Sequence, residues 1–383
     1  MWTLLRTVLM GLAVAVVFVP LIAGKAEPAT AKVTEGQRIL QDLIKGARQE
    51  GSLRATATTS FSARGARELA DAFKRRFGLA IEVKVDLTLG GLETVPQAIA
   101  EHKAKVRPSY DVRNFTEEAV LLLKDAGAAE RIENWEPVLA EIDPKAYKVR
   151  DKLSPHPLNG YGFTSATRTH ALLYNPKLIS EEKLPRTMKE YGNPRYKGMV
   201  SVPPWITRAM LGPTVYDKDE WLEIVRGWGR NKAHVVPFAA GVSRLLLGEL
   251  AFLYGNADYY FEEKAKDPNA SIGVSFFEDL PWVHLVLNSV LAGTPNPNAA
   301  KLFALWSMSE EASNISEKYT YTPNLILGTG PISQEVMKLL KKRNIKPMTW
   351  FDSPKNLEVF LWYDTKEGKE YGKLLDRAQR EGR

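Results

Sequence analysis

Hydroxyl groups, guanidinium groups and aromatic rings gather in a few short stretches of this chain. Thr59, Ser60, Ser62 and Arg64 share one polar turn, and Arg113, Asn114 and Phe115 sit in another. Pro204, Trp205, Thr207 and Arg208 form a third group, and Gly241, Ser243 and Arg244 a fourth. Tyr259 and Tyr260 stand side by side. Hydroxyls in such turns either cap a helix or meet a ligand. Arg208 and Arg244 either close surface ion pairs or clamp an anion. Trp205, after two prolines, either packs or offers a platform to a flat or cationic guest. His102, His156, His170, His234 and His284 are scattered without metal-ligand spacing. No P-loop, G-x-S-x-G elbow or G-x-G-x-x-G turn occurs, which points to binding rather than catalysis. An exported hydrolase using distant carboxylates is the enzyme alternative.

Composition narrows the class. The chain has 383 residues, 44% hydrophobic and 25% charged, enough for two medium domains with true cores. Its net charge of +7 favours an anionic ligand or surface mildly. No basic stripe with interleaved aromatics appears, so no nucleic-acid partner is expected. An arginine, an apolar run from Val8 to Ala23 and small residues at Ala29 and Ala31 describe a secretory signal peptide over residues 1–31. There is no cysteine, so neither lipid attachment, disulfides nor thiol chemistry is expected.

The turns gain meaning from the elements that frame them. Helical periodicity over Glu35–Arg48 leads to a strand, Ser52–Thr58. A second helix follows with Ala66, Leu69, Ala70, Phe73 and Phe77 on one face and Gly78 at its C-terminal cap. Ile81, Val83 and Val85 alternate as a strand, and Val112 opens another before a helix capped by Thr116. This β-α-β-α-β order predicts an open, mainly parallel α/β sheet. Later come strand-like Gly198–Val202, helical Asp219–Gly227 and Ser243–Glu249, and a strand at Leu250–Tyr254. Two β-rich stretches, Gly160–Asn175 and Gly273–Asn288, read as crossings between one domain and another inserted into it. Such double crossings permit hinge closure.

At that point the residues resemble a known family. Ala171-Leu-Leu-Tyr-Asn-Pro-Lys-Leu, Leu184-Pro-Arg-Thr, Asn193-Pro-Arg-Tyr-Lys-Gly198, Tyr110-Asp-Val112, Gly248-Glu249 and Asn298-Ala-Ala-Lys-Leu-Phe303 occur in its order. The chain is similar to the extracellular solute-binding proteins of bacterial ABC importers, in the group that includes ferric-ion-binding proteins. The resemblance implies the type 2 periplasmic binding fold: two Rossmann-like lobes joined by two hinge strands. Lobe 1 would comprise 32–160 and 289–383, and lobe 2 would be 161–288.

It also implies a function. A monomeric periplasmic protein would capture a small molecule or ion between its lobes and deliver it to ABC permease subunits, without catalysis or a resident cofactor. Ligands in this fold meet strand ends and helix starts. That places Thr59, Ser60, Ser62, Arg64, Asn114, Trp205, Thr207, Arg208, Ser243, Arg244, Tyr259 and Tyr260 at the ligand. Ferric-binding relatives use adjacent tyrosines after a Gly-Glu, since hard Fe(III) favours phenolate oxygen. Here the pair lies one residue further along, so ferric ion as cargo of Tyr259 and Tyr260 is the alternative.

Overall fold

The computed structural model describes residues 33–88, 91–205 and 212–381. The expected signal segment, Thr207 and Arg208 lie outside the described residues. Helix α1 (Glu35–Glu50) leads into strand β1 (Ser52–Thr58), helix α2 (Ala63–Phe77) and strand β2 (Glu82–Thr88). Helix α3 (Val95–Lys103), strand β3 (Val112–Phe115) and helix α4 (Glu117–Asp125) complete the first run. The α2 face read from the sequence is the buried one, and Gly78 caps that helix at φ 58°, the left-handed region where glycine carries no Cβ penalty. Phe73 is fully buried, edge-on to Phe77 and Phe303 at 5.6 and 5.2 Å.

The long strand β4 (Phe163–Tyr174) follows. Then come β5 (Ser201–Val202), β6 (His234–Val235), β7 (Phe252–Asn256), β8 (Gly273–Ser275) and β9 (Val283–Val290). The main sheet runs β2-β1-β3-β9-β4-β7, with β8 also on β4. β1 pairs in parallel with β2 and β3, and β5 with β6. Every pairing of β9, β4, β7 and β8 is antiparallel, so the mainly parallel sheet expected from element order is confined to β2-β1-β3. The reason is local: β4 and β9 run against each other as crossings, not as successive strands of one βαβ series.

β4 serves two sets of neighbours. Phe163–Thr169 pair with β9, shifting register between Thr164 and Ala166, whereas His170–Tyr174 pair with β7. β9 continues from β4 onto β3, with Phe115 opposite Leu287. The two crossing strands therefore join β2-β1-β3 to β7 and β8 through one continuous set of hydrogen bonds, while β5 and β6 form a separate two-stranded sheet. The second crossing begins at Val283, and Gly273–Ser275 belongs to the separate strand β8.

Glu35–Arg383 form one compact unit. Within it, α1, α2, β1 and the helix Pro297–Trp306 enclose one apolar core. Another gathers Tyr191, Trp221, Trp228, Phe252, Trp282 and Trp350. The end of the chain, expected in lobe 1 as part of 289–383, also packs on elements expected in lobe 2. The helix Lys366–Ala378 packs on the helix Lys218–Arg230, where the Tyr371 hydroxyl donates to Lys218 O at 2.6 Å and Lys218 pairs with Glu367 at 2.8 Å. Val336 and Leu340 likewise pack against Ala171, Ala257 and Phe276. Apolar faces on those last helices found their partners in the inserted half.

Candidate functional site

Strand β4 brings polar side chains of its own together with those of its neighbours β7 and β9. In register, Arg168 lies opposite His284 and His170 opposite Asn256. Side chains two apart on a strand share a face, so Arg168, His170 and Asn256 line one side. Asp258 follows where β7 ends and the helix Asp258–Lys266 begins. Ala257 N donates to Thr169 O at 2.9 Å and ties that helix start to β4.

Several buried hydrogen-bonding atoms here have no partner. Arg168 Nε, His170 Nδ1, Asn256 Oδ1, Asp258 Oδ1 and Trp282 Nε1 are among them. Native interiors satisfy nearly all such atoms, so a cluster of exceptions marks a place awaiting water or a guest. Among the described residues Arg168 has no carboxylate at ion-pair distance, although it is half-buried. Asp258 is 7% exposed and its Oδ2 accepts the Thr322 hydroxyl, at 3.4 Å. Burial pushes the Asp258 carboxyl above its ordinary value, tempered by the nearby Arg168 charge.

Two histidines behave in opposite ways. His170 is buried flat against Trp282, ring centroids 4.7 Å apart at 11°. Burial, then the neighbouring His284 and Arg168, hold His170 well below the usual imidazole value, so it is neutral at pH 7. For His284 burial also opposes charge, but the Glu117 carboxylate outweighs it and raises the imidazole. His284 Nδ1 donates to Glu117 Oε2 at 3.0 Å, and Leu285 N donates to Glu117 Oε1 at 2.6 Å. Burial, then Glu117, pushes the adjacent Glu118 up. The first turn of α4 is thus clasped to β9.

An aromatic wall adjoins this polar face. Trp205, 45% exposed, stands edge-on to Phe238 at 5.5 Å. Phe238 in turn neighbours His170 at 6.1 Å and Tyr259 at 6.4 Å. On the side of β1 and β3, a narrow cavity of about 30 Å³ is lined by Thr58, Phe61, Asn114, Arg168, Asn288 and Thr322. That is room for roughly two waters. Asn114 Nδ2 donates to Asn288 Oδ1 at 3.1 Å, joining β3 to β9 at its wall. Nearby, Tyr321 ends the helix Glu310–Thr320 in the left-handed region at φ 56°, which non-glycine residues seldom adopt.

The residues singled out from the sequence spread over several environments. Asn114 lines the cavity, and Trp205 and Tyr259 belong to the aromatic wall. Thr59 and Ser60 are exposed in the turn after β1, and Arg64 is exposed at the start of α2. Ser62 is engaged as the cap of α2, accepting from Gly65 N at 3.1 Å. Ser243 and Arg244 were expected at a helix start, but the helix begins earlier, at Phe238. Ser243 donates back to Ala239 O at 3.2 Å, and Arg244 pairs with Glu249 at 2.8 Å. The apolar Phe238-Ala-Ala-Gly run gave that earlier turn no polar signal. Consecutive helical residues diverge by about 100°. Tyr259 accordingly meets Phe238, its phenol pushed up to about 12 by burial and Asp258. Tyr260 meets Phe261 at 5.1 Å and lines a different groove with Tyr174 and Lys264. Among the described residues no group of three or more His, Asp or Glu could hold a metal ion.

Arg168, His170, Asn256 and Asp258 were missed. The signal available was alternation: Arg168 and His170 are polar positions two apart in an otherwise apolar strand. Their partners from β7 are invisible until the strands pair.

The comparisons with known proteins fit this geometry. No curated protein is significantly similar in sequence. The fold matches a substrate-binding protein of an ABC transporter from Agrobacterium tumefaciens at 14% identity, covering 88% of this chain and 97% of that one, with a TM-score of 0.65. FutA of Trichodesmium in complex with iron and citrate matches at 16% identity, 86% and 99% coverage and a TM-score of 0.63. The spermidine/putrescine-binding protein PotD from Streptococcus pneumoniae matches at 13% identity, 86% and 98% coverage and 0.62. At these identities the likeness is one of fold, the type 2 periplasmic binding fold. Residues 68–326 match the model of the bacterial extracellular solute-binding protein family, and the chain belongs to that family.

Proposed function

We propose that this chain captures a small solute in a crevice between its two halves and delivers it to the permease of an ABC importer. The observation that carries the reading is the cluster of unpartnered polar atoms on Arg168, His170, Asn256 and Asp258, set where β4 and β9 join the halves. Such atoms are costly to bury unless something completes them. A guest seated on them would complete them, and the first lobe would close over it as β4 and β9 bend. The first lobe would then comprise 35–160 and 289–324, and the second 165–282 together with 325–381.

Membership of a solute-binding family supports the rest of the reading. The protein would act in the periplasm as a monomer after loss of residues 1–31, binding without turnover and without nucleic acid. Among the described residues no helix is long and apolar enough to cross a membrane. An organic guest suits the site better than a bare ferric ion, because Tyr259 and Tyr260 meet different neighbours and the Tyr259 phenol resists ionisation.

The test is calorimetric titration of native protein and of a Trp205→Ala, Tyr259→Ala double variant against small organic anions, zwitterions, polyamines and ferric citrate. Capture requires at least one tight, non-consumed ligand whose affinity collapses in the double variant. Unchanged affinity would place the site elsewhere, and steady product formation would make the protein an enzyme.

A further inference from the structure

The charges at the crossing strands say what kind of solute would fit. Arg168 offers a half-buried guanidinium with no ion-pair partner among the described residues. Guanidinium groups pair with carboxylate and related oxyanions through parallel N–H donors. On the neighbouring strand end stand two acceptors without donors, Asn256 Oδ1 and Asp258 Oδ1, on side chains 3% and 7% exposed. Acceptors that deeply buried call for a donor, and an ammonium supplies up to three.

The two charges sense each other without meeting. Arg168 steadies the ionised form of Asp258, yet the pair is not within ion-pair distance. The backbone holds them so, since Ala257 N is bonded to Thr169 O between them. A cation and an anion held beyond ion-pair distance, each with an unpartnered hydrogen-bonding atom, are complementary to a guest bearing both charges.

We infer that the crevice takes a small organic zwitterion, its anionic end on Arg168, its ammonium on Asp258 and Asn256, and its carbon skeleton against Trp205 and Phe238. This rests on the solute-capture reading. A plain anion would leave Asp258 and Asn256 unsatisfied. A polyamine would bring positive charge to an unpaired Arg168.

Calorimetry with matched probes tests it: glycine, β-alanine, γ-aminobutyrate, 5-aminovalerate and taurine, each beside the acid and the amine that make its two halves, with spermidine and ferric citrate as outsiders. At least one zwitterion should bind about a hundredfold more tightly than either half, the combined loss of charge-assisted bonds at one end. Arg168→Gln should erase that zwitterion's advantage over its amine half, and Asp258→Asn its advantage over its acid half. Circular dichroism and thermal melting check that both variants fold. A merely structural role would weaken all probes alike. If a plain acid, a plain amine, spermidine or ferric citrate binds best, or if neither substitution discriminates, the zwitterion inference is wrong while solute capture stands. If no probe of any class binds, both fall.

Discussion

Glu117→Gln isolates the clasp between α4 and the crossing strand β9. Glu117 is fully buried and serves two donors, Leu285 N at 2.6 Å and His284 Nδ1 at 3.0 Å. Glutamine keeps the shape and an acceptor for Leu285 but removes the charge facing the imidazole. A hydrogen bond to a charged group contributes about 1.5–3 kcal/mol, less than the roughly 3–5 kcal/mol lost when one partner of a buried pair is deleted outright. The lower range applies, because the substitution leaves little unsatisfied. The pH dependence gives the sharper test. His284 has a folded pKa raised by Glu117 against burial, so the pair's proton-linked stability is full below the unfolded imidazole value and fades as pH rises through the folded one. His170 runs the other way: its depressed value gives stability that is full above the unfolded imidazole value and lost as pH falls. The difference between wild type and variant removes the common background, and relief of Glu118, raised in part by Glu117, shifts that difference the same way. Urea unfolding followed by tryptophan fluorescence suits it, since the Trp282 ring lies 4.1 Å from His284. At about pH 5.5 the variant should be about 1.5–3 kcal/mol less stable, with a smaller deficit at about pH 8.5. An equal deficit at both pH values, or a larger one in alkali, would refute the reasoning.

Two further substitutions probe the frame that holds the site. Phe73→Ala removes a fully buried ring that meets Phe77, Phe303 and Trp306. It should cost about 3–5 kcal/mol in chemical denaturation, and a loss under about 1 kcal/mol would mean that core is loosely packed. Glu50→Ala strips the helix Pro297–Trp306 of its N-terminal acceptor, which takes bonds from Asn298 N, Asn298 Nδ2 and Ala299 N at 2.6–2.9 Å. A capping loss of about 1–2 kcal/mol is expected, and a melting temperature matching wild type would refute that role.

Much of the frame was legible because it rests on local chemistry. The α2 face, its Gly78 cap and β1 follow from helical spacing, a left-handed cap and a short strand between turns. β4 was legible as a long extended run. What the sequence hid depends on pairing at a distance. Arg168 and Asp258 come together only through the register of β4 with β7 and the tie of Ala257 to Thr169, neither of which leaves a periodic trace. The sense of the sheet beyond β3 was hidden likewise, since an antiparallel crossing and a parallel strand show the same apolar run. Ser243 and Arg244 were misplaced because an apolar first turn looks like a strand end. The contacts of the last helices with Lys218–Arg230 and with Ala171, Ala257 and Phe276 were hidden likewise, because amphipathic faces do not name their partners.

Because the chain has no cysteine, paired spin labels can be placed without background substitutions. Ser60 and Ser243 are both exposed, on opposite halves, and Cys introduced at each position would carry the labels. Pulsed electron resonance should show the distance between them shortening when a solute proven by calorimetry to bind is added. A distance distribution unmoved by such a solute would contradict closure about β4 and β9.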